Sequence, residues 1–373
     1  MKILVLCPGY PSKENLYNNG FIHSRVKNYL ANHLDVEVFS VNKRAKYRKY
    51  KFEKVLVNEG NYKDLEKFLE NNKYDKILIH FAWAKILKTV IKKSKTTKLI
   101  IWVHGVEALG WYRRLFLFNI KKFYRFIGYI IVNTKQLFFM HNFIRNKKID
   151  KEFVFVSEWM KDIFENDSFS KEKIINYHII PNVIDNNVFK YIEKGQEQRL
   201  NILTIRPFAS KKYANDLTVK AILELQKEPF FNKLSFNIYG DGKLFKSVTK
   251  PLEKLKNVKL HKRFLSQSEI AEIHKNNGIM LIPTRQDAQG VSMCEAMMSG
   301  LVPITSNNTA IPEFVNKQCG YLANDYHELA QAIKELYNDP EVFLEKSRNA
   351  HTQMMKICSP KVVIQNELDI IKR

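Results

Sequence analysis

The chain alternates short apolar runs with amphipathic segments throughout its length. In the first half, runs typical of buried strands occupy residues 2–7, 36–41, 77–81, 99–103, 129–132, 153–156 and 177–180, and helical periodicity is found at 21–34, 61–71 and 84–93. In the second half, strands are predicted at 202–205, 234–239, 258–260, 279–282 and 301–305, and helices at 216–226, 268–276, 290–299 and 326–338. Strands that alternate with helices indicate parallel sheets, so the pattern predicts an α/β protein of two doubly wound, Rossmann-like domains.

The two predicted domains are separated by a polar segment without periodicity, residues 191–199. We therefore expect an N-terminal domain at 1–190, a linker at 191–199 and a C-terminal domain at 200–357. The remaining segment, 358–373, is predicted to be a helix and is a candidate to pack back on the N-terminal domain. In doubly wound folds ligands bind at the carboxyl ends of the strands, so we predict a ligand cleft between the domains.

Composition narrows the protein class. The 373 residues are 45% hydrophobic and 27% charged, which is typical of a globular protein with substantial cores. The four cysteines contain no CxxC pair, which argues against a zinc site and a disulfide framework. The first ten residues turn polar too soon for a signal peptide and predict a first strand. No run reaches the roughly 18 apolar residues of a membrane span.

Charge is distributed unevenly along the chain. Residues 1–150 contain 30 Lys and Arg against 11 Asp and Glu, a net +19, whereas residues 151–373 contain 31 against 27, a net +4. The two sums give the net charge of +23 for the whole chain. A strongly basic half suggests contact with a polyanion, either nucleic acid or an anionic membrane surface.

The stretch 283–307 contains the clearest candidate chemistry. A loop with Asp287 and Gly290 follows an apolar run and leads into a small-residue helix that includes Glu295. Gly290 permits close backbone approach, and the amides of Gln289, Gly290, Val291 and Ser292 at the helix start favour an anion. Glu295 could accept hydrogen bonds from sugar hydroxyls. The alternative is that Asp287 is a capping acid and Glu295 a solvated one.

This stretch resembles the acid-x7-acid signature of retaining GT-B glycosyltransferases of family four, the glycosyl transferases group 1. The resemblance implies that the second acid, Glu295, holds the ribose of a nucleotide. It also implies that Asp287 and the loop amides hold the donor sugar. The family usually has Glu at the first position, and Asp287 shortens the reach by one methylene.

The segment 202–217 resembles the same family, in which an arginine and a lysine after a strand clamp the donor diphosphate. Arg206 occupies the arginine position. Lys211 and Lys212 both fit the lysine spacing, and the sequence leaves both open. Such cations oppose the charge that develops as the nucleoside diphosphate leaves. The alternative is a basic loop without a ligand.

Further stretches follow the family's order. The resemblance implies that Gly20 faces the diphosphate, that His104 lies near the transferred sugar, and that Gly240 lines the nucleotide pocket. It also places the base near Arg263 and Phe264. A strand-end histidine such as His104 is otherwise more often a packed or capping residue.

Two basic, aromatic segments predict peripheral contact with an anionic membrane. The first is 42–54, and the second, 111–148, interleaves phenylalanines with cations at Arg113, Arg114, Lys121, Lys122, Arg125, Arg145, Lys147 and Lys148. Aromatic and basic residues in helical register suit an interfacial helix. The alternative is a core helix with a basic outer face.

The resemblance implies an enzyme that transfers a sugar with retention, from a UDP- or GDP-sugar donor to a glycan or lipid-linked acceptor. This places it in the synthesis of cell-surface polysaccharide or glycoconjugates, in the cytoplasm or at the inner face of the membrane. No metal and no cofactor are expected, and none of the 13 aspartates forms an Asp-x-Asp pair. The alternatives are a two-domain sugar- or nucleotide-binding protein and a nucleic-acid-binding protein, although the sequence contains no recognised nucleic-acid module.

Overall fold

A computed structural model describes residues 1–15, 18–94, 96–118 and 120–373, without the side chain of Lys121. The described residues form two units. Unit one contains Met1–Val183 and Pro360–Arg373, and unit two contains Ile184–Ser359. The basic 1–150 segment therefore belongs entirely to unit one.

Unit one is built from strands with helices between them. Its strands are β1 (Lys2–Cys7), β2 (Asp35–Val41), β3 (Arg48–Phe52), β4 (Val55–Gly60), β5 (Lys76–His80), β6 (Lys98–Val103), β7 (Lys151–Phe155) and β8 (Tyr177–Ile179). Its helices are α1 (Gly20–Ala31), α2 (Tyr62–Asn71), α3 (Ala84–Lys93), α4 (Phe123–Arg145), α5 (Glu158–Asp167) and α12 (Pro360–Lys372).

The sheet of unit one has the strand order β3-β4-β2-β1-β5-β6-β7-β8, and only β3 runs antiparallel to its neighbour. The central strands β1, β5 and β6 are almost continuously apolar because helices cover both faces of a parallel sheet. The strand order reverses between β1 and β5. Loops that leave the carboxyl ends of these strands therefore meet at a topological switch point.

A buried ion pair joins the last helix to unit one. Glu367 on α12 accepts hydrogen bonds from Arg25 Nε at 2.7 Å and from the Tyr29 hydroxyl at 2.5 Å, and both partners lie on α1. The side chains of Arg25 and Glu367 are fully buried. Because an unpaired buried charge costs several kcal/mol, this pairing fixes α12 against α1.

Unit two repeats the same alternation. Its strands are β9 (Asn201–Ile205), β10 (Ser235–Tyr239), β11 (Val258–His261), β12 (Ile279–Leu281), β13 (Val302–Ser306) and β14 (Tyr321–Ala323). Its helices are α6 (Asn215–Leu225), α7 (Phe245–Thr249), α8 (Gln267–Lys275), α9 (Val291–Met298), α10 (Tyr326–Asn338) and α11 (Pro340–Cys358). The strand order is β11-β10-β9-β12-β13-β14, and all pairs are parallel. The switch point lies between β9 and β12.

The strand prediction at 129–132 is wrong. These residues belong to α4, which continues without interruption from Phe123 to Arg145. The run Tyr-Ile-Ile-Val has high strand propensity, but helix formers and aromatic residues on both sides extend the helical register through it. The hairpin of β3 and β4 was not predicted. Its outer strand, β3, lies within the basic segment 42–54.

The segment predicted as a linker, 191–199, belongs to unit two. Lys194 Nζ donates to the His274 carbonyl at 2.6 Å, and Arg199 Nε donates to the Tyr337 carbonyl at 3.1 Å. The residues from Gln196 to Leu200 form a 3-10 turn. The segment lacks periodicity because side chains rather than a regular element hold it in place. The boundary in the structure lies between Val183 and Ile184 instead of at residue 190.

Candidate functional site

The predicted site residues of unit two follow the carboxyl ends of its strands. Arg206 comes directly after β9, Gly240 after β10, and Asp287 lies in the loop between β12 and α9. Because β9 and β12 flank the switch point, Arg206 and Asp287 meet where an open α/β sheet binds ligands. The backbone N–H of Arg206 donates to the Tyr239 carbonyl at 3.1 Å, which extends the β9–β10 ladder by one residue.

Gly240 allows two loops to approach each other closely. It has a φ of +153°, and a Cβ added there would lie 1.9 Å from the carbonyl oxygen of Arg206. The glycine is therefore needed to place the Arg206 backbone. The backbone of Gly242 lies similarly close to a neighbouring loop, because a Cβ added there would lie 2.4 Å from the backbone of Phe208.

Gly240→Ala is expected to lower the free energy of unfolding of unit two by about 3 kcal/mol, because backbone strain and overpacking each cost about 1–3 kcal/mol. Chemical denaturation of the full chain measures this. Gly128→Ala is the matched control. Its Cβ meets no heavy atom within 4 Å in helix α4, so it should be neutral or stabilising. Equal stability of Gly240→Ala and wild type would contradict the close approach.

The Arg206 guanidinium is 5% exposed and lies among three groups of the site. Its Nη1 is 3.6 Å from an Asp287 carboxylate oxygen, its Nη2 donates to the Pro283 carbonyl at 3.4 Å, and its centre is 5.5 Å from the Tyr213 ring. Nε is buried and has no hydrogen-bond partner among the described residues. Burial lowers the pKa of Arg206, and the charge of Asp287 opposes this shift.

The Asp287 carboxylate is held by charges and by backbone amides. Burial acts to raise its pKa, but Lys212, Arg206 and the N–H groups of Gln289 and Gly290 together hold the pKa below its usual range. Asp287 is therefore ionised at neutral pH. It uses two of the four amides that the sequence analysis assigned to an anion.

Helix α9 begins at Val291, after Gly290 in the left-handed conformation with a φ of +82°. Among the described residues, the N–H groups of Val291 and Ser292 make no hydrogen bond. The side chain of Gln289 is 1% exposed and its amide lies near the buried thiols of Cys294 and Cys358, at 3.9 and 3.6 Å. Two amides thus remain available at the start of α9, and Gln289 anchors the loop.

Glu295 lies on the second turn of α9 and is partly buried. Its carboxyl group has no hydrogen-bond or ion-pair partner among the described residues. Burial raises its pKa from 4.5 to about 8. A partly buried carboxyl group without a partner is destabilising in the free protein, which is characteristic of a group reserved for a ligand.

The structure places the two candidate lysines differently. The charge of Lys212 lowers the pKa of Asp287, and its Nζ is 5.6 Å from the Tyr213 ring centre. Lys211 is exposed, and only its carbonyl contacts the site, by accepting a hydrogen bond from Arg285 at 2.7 Å. Lys212, Arg206 and Asp287 therefore form one cluster, and the Lys211 side chain lies outside it.

Sequence reasoning missed two features of this cluster. Tyr213 presents its ring to both Arg206 and Lys212. Arg285 binds both carboxylate oxygens of Asp216 at 2.7–2.8 Å. This pair fastens the β12 loop to the start of α6. No sequence signal identifies either feature, since both depend on the meeting of distant loops.

Arg263 and Phe264 follow β11 at the same edge of the sheet. Both side chains are 52% exposed. Arg263 pairs with Glu269 at 2.6 Å, and this pairing is the main reason that the pKa of Glu269 falls to about 2. Tyr239 stacks on His261 at 4.1 Å, so an aromatic surface adjoins these residues.

His104 of unit one follows the carboxyl end of β6. Its ring Nε2 is 3.1 Å from Nδ1 of His80, and its backbone N–H donates to Glu107 at 2.7 Å. Burial holds the pKa of both histidines well below the usual value, so both rings are neutral at pH 7. Burial also raises the pKa of Glu107 to about 7.

Gly20 is the first residue of α1, and a Cβ there would meet open space.

Comparison with known proteins identifies the class of protein to which unit two is similar. Residues 199–339 match the family model described as Glycosyl transferases group 1.

Unit two contains a glycosyl transferases group 1 domain.

This match confirms the resemblance to glycosyl transferases group 1 and the prediction of a glycosyltransferase. No curated protein sequence matches the chain. Among solved structures, the glycosyltransferase is similar to sucrose-phosphate synthase from Thermosynechococcus elongatus, with a TM-score of 0.76 and 13% identity over 100% of this chain and 98% of that one. It is also similar to HepE of Anabaena in complex with UDP and glucose, with a TM-score of 0.73 and 14% identity over 100% and 99% of the two chains.

A glycosyltransferase from Rickettsia africae is a further neighbour, with a TM-score of 0.71 and 15% identity over 100% of this chain and 97% of that one. At these identities the likeness concerns the fold. It confirms the predicted GT-B fold for the glycosyltransferase, and the roles of individual site residues remain predictions.

Proposed function

We propose that this glycosyltransferase transfers a sugar from a nucleotide-sugar donor, with retention and without a metal ion, to a glycan or lipid-linked acceptor. The observation that carries the proposal is the cluster at the switch point of unit two. Two cations, Arg206 and Lys212, lie beside Asp287 in the loop that leads into α9. That helix begins with two unbonded amides, and its second turn carries Glu295, whose carboxyl group has no partner among the described residues.

The cluster suits a diphosphate that leaves with increasing negative charge. Arg206 and Lys212 supply fixed positive charge, and the N–H groups of Val291 and Ser292 lie at the positive end of the α9 dipole. Preorganised donors of this kind stabilise the leaving group more than the ground state. The chain itself thus provides the charge that a divalent metal supplies in other transferases.

Glu295 is proposed to accept hydrogen bonds from the ribose hydroxyls. A nucleotide ribose in this place would satisfy the partly buried carboxyl group. The HepE structures bind UDP, UDP and glucose, and UDP-glucose. We therefore favour UDP-sugars as donors, with GDP-sugars as the second choice. Asp287 is proposed to contact the donor sugar, although its carboxylate already pairs with Arg206 in the free protein.

Retention and membership of family four are proposed from the acid-x7-acid stretch. The anomeric configuration of the product tests this directly. An NMR spectrum of the product that shows the donor's anomeric configuration preserved would support retention. An inverted linkage would contradict both the mechanism and the family.

Lys212→Ala is expected to lower kcat/KM for donor hydrolysis or transfer by about a hundredfold, because it removes one cation from the leaving group. Lys211→Ala is the matched control, one residue earlier on an exposed position, and should stay within about twofold of wild type. Steady-state kinetics of both variants measure the difference. Equal losses in the two variants would contradict the placement of Lys212.

A panel of UDP-, GDP- and other sugar nucleotides tests the proposed donor. One of these is expected to raise the melting temperature of the full chain and to be hydrolysed slowly without an acceptor. Thermal stabilisation without hydrolysis or transfer to any acceptor would favour the alternative of a nucleotide-binding protein. No response to any nucleotide, together with tight binding to DNA or RNA, would overturn the enzyme proposal.

Unit one is proposed to receive the acceptor and to contact an anionic membrane through residues 42–54 and 111–148, at the inner face of the cell membrane. Asn119 and the Lys121 side chain of this range lie outside the described residues. Among the described residues, twenty large apolar side chains are exposed, and eleven of them lie at 111–148. The buried residues of α4 all follow Val132, so its first half presents apolar side chains to solvent. No helix in the described part of the chain could span a membrane.

Flotation with liposomes tests the membrane contact. We expect binding to vesicles that contain phosphatidylglycerol, and we expect salt to weaken it because screening reduces electrostatic attraction. Binding that is equal for neutral and anionic vesicles would contradict the role of the basic segments.

For two residues of unit one we keep the roles that the family resemblance implies. Gly20 is proposed to face the diphosphate, and His104 is proposed to lie near the transferred sugar.

A further inference from the structure

A region with two pockets lies in unit one, at the amino ends of its strands. It lies beside the last turns of α4 and the first residue of β7, Lys151. His104 follows the carboxyl end of β6, which is parallel to β7. The region is therefore at the opposite edge of the sheet from His104, and the proposed transfer chemistry does not use it.

The first part of the region is a cationic pocket of about 760 Å³. Five basic side chains line it against a single carboxylate: Arg145, Lys147, Lys148, Lys151 and Lys173, with Asp150. In the described residues no ion pair involves Lys147, Lys148 or Lys173. Lys151 Nζ donates to the Asn146 carbonyl at 2.7 Å and so braces the loop that carries Lys147 and Lys148. A cluster of unneutralised cations of this kind favours a phosphate group.

The second part is an apolar pocket of about 360 Å³, lined mainly by aromatic and aliphatic side chains that include Trp111, Leu137, Phe138 and Phe169. Phe138 and Phe169 are 69% and 76% exposed. Ile175, which lines the cationic pocket, is 81% exposed. Aromatic and aliphatic groups exposed to this degree around a pocket mark an interaction site. A soluble anion such as inorganic phosphate would not require them.

The two pockets are neighbours along helix α4. Phe138 and His141 line the apolar pocket, and Ile144 and Arg145 on the next turn line the cationic one. Arg145 Nη2 also donates to the Phe169 carbonyl at 3.3 Å. One helical turn advances about 5.4 Å, so a single amphiphilic molecule can reach both pockets.

We propose that these two pockets bind one anionic phospholipid, with its phosphate among the cations and part of an acyl chain in the apolar pocket. The apolar pocket has a volume of about 360 Å³, so it takes only part of one chain. The proposal rests on the proposed membrane contact and gives it a specific lipid site. It differs from general electrostatic attraction, which needs no pocket and no chain.

Dissolved short-chain lipids test the site without a bilayer. Calorimetric titration of the full chain is expected to show binding of short-chain phosphatidylglycerol. Phosphatidylcholine of the same chain length and inorganic phosphate should bind at least about tenfold more weakly. Equal binding of inorganic phosphate would overturn the role of the chain, and equal binding of phosphatidylcholine would overturn the role of the cations.

Variants assign the binding to the two pockets. Lys147→Glu combined with Lys148→Glu is expected to weaken phosphatidylglycerol binding about tenfold or more, since each lysine near an anionic lipid contributes appreciably. Lys361→Glu combined with Lys372→Glu is the control, because it makes the same charge change at exposed positions of α12. Equal weakening by the two pairs would reduce the effect to net charge and overturn the site.

Thr134→Trp fills the apolar pocket from an exposed position of α4 and is expected to weaken binding of the dissolved lipid several-fold. Val132→Trp adds the same side chain two residues away, outside the pocket lining, and should bind like wild type. Unchanged binding in Thr134→Trp would contradict a bound chain. Stabilisation by a nucleotide sugar is measured in parallel, so that failure of the donor proposal and failure of the lipid site are observed separately.

Discussion

Replacing Arg206 with alanine is expected to lower kcat/KM for sugar transfer by about 10²–10³, which is the loss found when one preorganised donor to a developing anion is removed. Arg206 is 5% exposed and is one of the two cations beside Asp287, in the loop that leads into α9. Its truncation also leaves the ionised Asp287 without its ion-pair partner. The repulsion between Asp287 and a diphosphate adds to the loss.

The control for Arg206→Ala is Arg199→Ala. Arg199 precedes β9, so it lies at the other end of the strand, and its side chain contacts the Tyr337 carbonyl instead of the site. This variant should keep its response to the donor within a few-fold of wild type. Thermal unfolding of both variants without nucleotide shows whether the fold is intact. An Arg206→Ala enzyme with wild-type kcat/KM would refute the diphosphate clamp.

Glu295→Gln is expected to weaken donor binding and to remove its dependence on pH. Burial raises the pKa of Glu295 to about 8, so the free protein binds a proton there at pH 7. Ribose hydroxyls donate best to the ionised carboxylate, so binding favours loss of this proton. Wild-type affinity for a UDP-sugar should therefore rise by up to about tenfold per pH unit between pH 6 and 8 and level off above pH 8.

A nucleotide sugar is the right ligand for this titration because its diphosphate lacks the terminal phosphate proton that titrates near pH 6. Glu107 of unit one also titrates near pH 7, and it is present in both wild type and Glu295→Gln. The difference between the two proteins thus isolates Glu295. Parallel pH profiles for wild type and Glu295→Gln would contradict the assignment of the ribose contact.

The same pKa predicts a change in the stability of the free protein. The pKa of Glu295 is higher in the folded protein, about 8, than in the unfolded chain, about 4.5. Glu295 therefore has little effect on the free energy of unfolding below pH 4.5 and lowers it increasingly as the pH rises to about 8. Glu295→Gln should therefore unfold at a higher temperature than wild type at pH 8 and at nearly the same temperature at pH 4.5. This pattern is typical of a residue selected for a ligand at the expense of stability.

Much of the fold could be predicted because local pattern and tertiary structure agree. Strands such as β1 and β6 are continuous apolar runs, and α3 extends over the predicted residues 84–93. The loop of Asp287 and Gly290 and the position of Arg206 after a strand could also be found, since each lies within one short segment. Parallel strands then bring such segments to one edge.

The remaining features depend on contacts between distant segments. The residues at 129–132 form a helix because α4 is continuous on both sides of them. The choice between Lys211 and Lys212 depends on the direction in which a 3-10 turn, Lys211–Tyr213, presents each side chain. The pairing of Asp287 with Arg206 requires the β9 and β12 loops to meet. None of these is contained in a local spacing.

The most direct test of the central claim is an experimental structure of the full chain with UDP bound. The nucleotide is expected at the carboxyl ends of β9 and β12, with the ribose hydroxyls within hydrogen-bond distance of Glu295 and the diphosphate in contact with Arg206 and Lys212. UDP bound elsewhere on unit two, or bound there with its ribose turned away from Glu295, would contradict the account.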